Sequence, residues 1–248
     1  MQGQRYSLLA KSPKKSQDVT SLPSWHTLIG RFVQQGRYYE ALECFEQMRR
    51  ECDTPPGILT LCYVLKACGN TGEIDKGKWI HEKFLRKGTL LENDVMIGTA
   101  LIDMYAKCGK LETARQVLEE LPARNVVSWS AIIAEYAQQG QGQEAINCFE
   151  RMQSEGISPN EVTFIFVLSA CGSIGAINKG KQIHDEILRR GFLEKSLALG
   201  NALIDMYAKC GMVAKAQGVL ECLRIRGVVS WSSLIAGYAQ QQQGYQAI

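Results

Sequence analysis

What this chain does not contain narrows its chemistry first. No CxxC pair occurs among its nine cysteines, and its three histidines, His26, His81 and His184, form no HxxxH pattern. Those absences exclude the usual ligand spacings of a structural zinc site. No stretch approaches the 18 or more apolar residues of a membrane span. Neither sign of charge is in large excess, since 28 Lys and Arg against 25 Asp and Glu leave +3 over 248 residues. Composition alone therefore demands no polyanionic partner, and basic residues would have to share one face to attract one. No nucleophile–base pair or metal cluster stands out, so no catalytic residue, metal or cofactor is expected.

Present instead is a text that repeats itself. The phrase ALIDMYAKCG runs from Ala100 to Gly109 and again, letter for letter, from Ala202 to Gly211. VVSWS opens at Val126 and at Val228, also 102 residues apart, and an LxAC phrase ends at Cys68 and at Cys171. Self-similarity at a fixed period marks a stacked repeat protein. Cys44 matches Cys148 by repeat position, Cys68 matches Cys171 and Cys108 matches Cys210. Single cysteines recurring in this way read as small buried hydrophobes, and unbridged thiols in this number imply a reducing compartment.

Divided at its weakest joints, the chain gives a basic leader (1–21) and six complete units: 22–57, 58–94, 95–125, 126–160, 161–196 and 197–227. An incomplete unit, 228–248, follows. Each unit reads as two helices. In the unit from Val126 the first covers about Trp129 to Gln139, and Gly140 supplies the left-handed residue that ends it. The second runs from about Gln143 to Glu155, with Ala145, Cys148, Phe149 and Met152 on one face and Gly156 and Pro159 beyond it. Helices this short are marginal alone, so each pair must bury its apolar face on its neighbours. The expected fold class is all-α, an α-α superhelix (solenoid) of helical-hairpin repeats of tetratricopeptide-like architecture. Trp25, Trp129 and Trp231 share one repeat position, which suits packing between repeats, with base stacking the alternative. Arg86–Lys87 and Arg189–Arg190 fall at the carbonyl ends of equivalent second helices.

These boundaries resemble those of pentatricopeptide repeats, and the long, long, short order of units resembles the P, L and S alternation of the land-plant PLS class. The phrases that carry the resemblance are VVSWSAIIAEYAQQGQGQEAINCFERMQSEGISPN for P, EVTFIFVLSACGSIGAINKGKQIHDEILRRGF for L and ALIDMYAKCGKLETARQVLEELPARN for S. The resemblance covers residues 22–248. It implies sequence-specific binding of single-stranded RNA, one base per unit. In such repeats the fifth and last residues choose the base and the second residue flanks it. Carried onto this chain, the choosing pairs are His26 with Gly57, Cys62 with Asp94, Thr99 with Asn125, Ser130 with Asn160, Ile165 with Ser196, and Asn201 with Gly227. Thr99/Asn125 and Ser130/Asn160 resemble adenine-selecting pairs, in which Asn can satisfy a donor and an acceptor together. Met96 and Val127 would flank those two bases. Lys107 and Lys209, near the ends of equivalent first helices, are candidates for phosphate contact, with a solvated helix terminus the alternative.

The resemblance also implies a role in organellar RNA processing or in recognition of C-to-U editing sites. It implies a mitochondrial location, with the chloroplast as the alternative. The leader carries Arg5, Lys11, Lys14 and Lys15 and no acid before Asp18, a composition that fits either a targeting segment or a disordered arm. Editing deaminases of this class use a zinc site with HxE and CxxC. Without CxxC, this chain is expected to select RNA and not to modify it. Further partners would be editing or processing factors engaged through missing C-terminal regions, because Ile248 falls inside the second helix of an unfinished unit. No membrane contact is expected. A tetratricopeptide-like protein scaffold is the alternative reading.

Overall fold

The structure, a computed structural model, describes residues 24–52, 54–85 and 95–240. The leader, Arg86–Lys87, Asp94 and the stretch 241–248 lie outside them. The regular elements among the described residues are all helical. First helices are α1 (Trp25–Gln34), α3 (Ile58–Thr71), α5 (Val95–Lys107), α7 (Val126–Gln138), α9 (Glu161–Ile174), α11 (Leu197–Lys209) and α13 (Val228–Gln240). Second helices are α2 (Tyr38–Glu51), α4 (Ile74–Ile80), α6 (Leu111–Glu120), α8 (Gly142–Ser154), α10 (Ile177–Arg189) and α12 (Val213–Cys222). A π turn over His81–Leu85 extends α4.

Each first helix packs on the first helix of the next unit, and each second helix lies between its own first helix and the following one. Burial is therefore shared between neighbours along the whole array, the nearest-neighbour logic of a solenoid. Helix α7 begins at Val126, three residues earlier than periodicity suggests. Asn125 caps α7 by accepting from the Val127 and Ser128 amides, and Ser128 returns a hydroxyl to the Asn125 amide, closing a capping box. Asn160 and Thr163 do the same for α9. Such caps satisfy amides that a helix start leaves without a partner.

Four residues of the duplicated decapeptide have scaffold roles, each performed twice. The Met104 side chain lies over Gly77, where an added Cβ would stand 2.6 Å from its sulfur, and Met206 lies over Gly180 in the same way. Tyr105 meets Nδ1 of His81 at 2.9 Å, and Tyr207 meets Nδ1 of His184 at the same distance. The Cys108 thiol approaches the Cys68 carbonyl, and the Cys210 thiol that of Cys171. Gly109 and Gly211 take φ of 72° and 73°. There the amides of Lys110 and Met212 return to the carbonyls of Tyr105 and Tyr207 at 2.9 and 2.8 Å. Burial pushes the Cys68 and Cys171 thiols up to about 12, so both are protonated and inert at neutral pH.

The tryptophan series divides. Trp129 is buried, with the Arg151 guanidinium 5.7 Å from its ring centre, so it is not available to stack on a base. Trp25 is half-buried, and Trp231 is 47% exposed at the same repeat position.

Candidate nucleic-acid interface

From α3 onward, the second residue of each first helix stands in its opening turn, away from the helix-to-helix packing. Leu59, Met96, Val127, Val162 and Val229 occupy that position and are 48% to 60% exposed. They form a series of apolar side chains held in solvent, one in each of these five units. Beside the series lies a groove formed only by first helices. Between α9, α11 and α13 it deepens into a cavity of about 330 Å³ lined by Ile165, Ser169, Ala198, Asn201, Ala202, Asp205, Val229 and Ser233. Ala198 lines this cavity at the second position, where the other described units carry a larger side chain.

The two expected adenine-selecting pairs share one hydrogen-bonding polarity. The Thr99 hydroxyl donates to the Val95 carbonyl at 2.7 Å. Its lone pairs are what remain for a ligand. Asn125 has its Oδ1 occupied by the cap of α7, which fixes the amide orientation and leaves Nδ2 without a protein partner among the described residues. One unit on, the Thr163 hydroxyl donates to Asn160 Oδ1 at 2.9 Å. Thr163 therefore accepts from Ser130, whose Oγ lies 2.6 Å away. Ser130, although buried, is again an acceptor, and Asn160 again has only Nδ2 donors to spare. In both units the acceptor belongs to the fifth residue and the donor to the last, because capping consumes the asparagine oxygen.

The other expected choosers are engaged differently. The His26 ring stacks at 5.6 Å on Tyr63, and its Nδ1 is 3.4 Å from the Thr60 hydroxyl. Cys62 is half-buried. Its expected partner Asp94 lies outside the described residues. Ser196 is buried as the cap of α11, accepting from the Leu199 amide and donating to Glu161 at 2.5 Å. Asn201 Oδ1 accepts from the Ser230 hydroxyl at 2.5 Å. Lys107 and Lys209 each pair with the aspartate one turn earlier, Asp103 at 2.8 Å and Asp205 at 2.7 Å. Any phosphate they met would compete with that carboxylate. Across the groove from Asp103, half-buried Glu135 has its carboxyl pKa raised, first by burial and then by Asp103.

Sequence reasoning passed over one spacing: His184 and Glu186 are themselves an HxE pair. His184 Nδ1 is held by Tyr207 and Glu186 by Arg190 and Gln153. Among the described residues no three His, Cys, Asp or Glu side chains gather as metal ligands would.

Comparison with known proteins bears on these observations. The model of the PPR (pentatricopeptide) repeat matches residues 23–52, 99–126 and 201–228, and that of the PPR repeat family matches 124–173. Together they cover more than half of the chain. The chain belongs to the pentatricopeptide repeat family. A mitochondrial pentatricopeptide repeat-containing protein of Arabidopsis thaliana is 38% identical over 91% of this chain, which spans 35% of that relative. A chloroplastic one from the same plant is 36% identical over 86% of the chain and 34% of its own length. The array thus spans about a third of these relatives. Among solved structures, it resembles PPR10 in complex with an 18-nt psaJ RNA element, with a TM-score of 0.71 and 19% identity over 92% of this chain and 34% of that one. It also resembles the nuclear protein-only RNase P 2 of Arabidopsis thaliana, with a TM-score of 0.52 and 13% identity over 66% of this chain and 37% of that one. At such identities the likeness concerns the helical-repeat superhelix alone.

Proposed function

We propose that this pentatricopeptide array binds single-stranded RNA, one base per unit, with the units from Val95 and Val126 taking two adjacent adenines. The observation that carries the reading is the shared polarity of Thr99/Asn125 and Ser130/Asn160. An acceptor at the fifth position and a donor at the last complement an edge with an exocyclic amine beside a ring-nitrogen acceptor. Adenine and cytosine have such an edge, whereas guanine and uracil place a carbonyl beside an N–H. Of the two matching bases, the family resemblance points to adenine. Met96 and Val127, both exposed, would flank the bases by apolar contact. A relative of this fold, PPR10, is described in complex with an RNA element, which supports the class of ligand.

The order of long, long and short units supports membership of the PLS class. The mitochondrial and chloroplastic designations of relatives support an organellar site of action, the mitochondrion first and the chloroplast as alternative. There the array would select a transcript for processing or C-to-U editing by positioning, with no catalysis of its own, and longer relatives leave room for editing or processing factors to dock elsewhere. The pairing of Lys107 and Lys209 with aspartates favours a second reading, a protein-binding scaffold, because it leaves the groove without a stripe of uncompensated positive charge.

A gel-shift series with the two bases varied together tests the proposal. AA should bind best, with GG and UU weakest. Equal affinity for AA and CC would remove the adenine assignment, and failure to enrich any motif from random RNA would favour the scaffold.

A further inference from the structure

The cavity around Asn201 differs from the rest of the groove in how its polar group is held. Ser230, the third residue of the following unit, is fully buried. Its Oγ accepts from the Gly227 amide at 3.3 Å and donates to Asn201 Oδ1 at 2.5 Å. A buried hydroxyl needs an acceptor for its proton. Asn201 Oδ1 is the one it has. Turning the amide over would set Nδ2 against Ser230 and strand that proton, so the orientation of Asn201 is fixed from across the unit boundary. Nδ2, without a partner among the described residues, is then the amide atom left for a ligand in the cavity that Asn201 lines.

We infer that Ser230 is a positioning residue for base choice by the preceding unit, and that with Asn201 so held the cavity takes uracil over cytosine. The inference rests on the RNA-binding reading above. Uracil and cytosine have nearly the same size and differ on the pairing edge: uracil has a carbonyl beside an N–H, cytosine an amine beside a ring-nitrogen acceptor. A fixed amide donor aimed at the exocyclic group favours the carbonyl and opposes the amine. Thr163 cannot act on Ser130 in this way, because its own proton goes to Asn160.

The test uses the full chain and RNAs that keep the AA pair while the nucleotide two positions beyond it is changed from U to C, on either side in turn. On one side the wild type should prefer U by about tenfold, the scale of one hydrogen bond. Ser230→Ala should reduce that ratio to below about twofold while leaving the preference for AA intact, and Ser230→Thr should retain it. In the free protein, Ser230→Ala should also shift the NMR resonances of the Asn201 side-chain amide. An unchanged U/C ratio in Ser230→Ala, or an unmoved Asn201 amide, overturns the inference. If AA is not preferred either, the RNA reading fails as well, and the amide resonance alone then decides whether Ser230 holds Asn201.

Discussion

The stretch 95–138 and its counterpart 197–240 share their interior and part company at their edges. The methionine, tyrosine and cysteine of the decapeptide meet equivalent partners at nearly equal distances in its two copies, and its glycine takes the same positive φ. Just outside it, Thr99 is replaced by Asn201 and Asn125 by Gly227. Asn125 caps α7 and occupies the Ser128 hydroxyl in that cap, so Thr99 turns its own proton to the Val95 carbonyl. Gly227 offers no side-chain cap, and Ser230, the counterpart of Ser128, donates to Asn201 instead. Whether the boundary residue can cap the next helix thus decides what the third residue's hydroxyl does. That in turn decides which hydrogen-bonding group faces the groove.

The comparison can be broken most forcefully at its tryptophans. Trp129→Ala removes a buried ring and should cost about 3–5 kcal/mol in chemical denaturation. Trp231→Ala, at the same repeat position but 47% exposed, should cost under about 1.5 kcal/mol. Equal costs would mean that the two halves pack alike after all. Next in size is the boundary itself. Asn125→Ala loses the cap of α7 and should cost about 1 kcal/mol, whereas Gly227→Asn should gain a few tenths, as glycine is already a tolerable cap. Thermal melts of the two variants should shift in opposite directions.

The smallest effect concerns Glu135, whose counterpart is Gly237, a glycine packed so closely that an added Cβ would stand 2.8 Å from Ala208. The raised pKa of Glu135 means that the folded state disfavours its charge. Below the unfolded pKa of about 4.3 the carboxyl is protonated in both states and costs nothing. As pH rises, the unfolded chain ionises first, and stability falls until the folded pKa is passed. Glu135→Gln should therefore stabilise the protein at pH 7, by less than about 0.5 kcal/mol. Melts at pH 4 should show no gain.

Periodicity made the helical hairpins legible, since apolar spacing and turn glycines are local signals. The start of α7 lies three residues before Trp129, where periodicity places it, although Asn125 with Ser128 is a readable capping pair. The Asp103–Lys107 and Asp205–Lys209 pairs were also available at a spacing of four. Other features had no local signal. Ser230 and Asn201 lie 29 residues apart, and nothing in either residue's neighbourhood announces their bond. Likewise, the exposure of Trp231 depends on what packs over α13, which its repeat position does not reveal. The asparagines looked able to donate and accept together until their caps showed the oxygen already engaged.

The central claim is that the flanks, and not the shared decapeptide, choose the base. Carrying the second pair of flanks into the first unit, as Thr99→Asn with Asn125→Gly, tests it most directly. Binding would be measured with RNAs bearing A or U at the nucleotide that this unit reads. The account predicts that the preference moves from A to U while the neighbouring adenine is still required. A doubly substituted array that folds, binds and still prefers A there would contradict it.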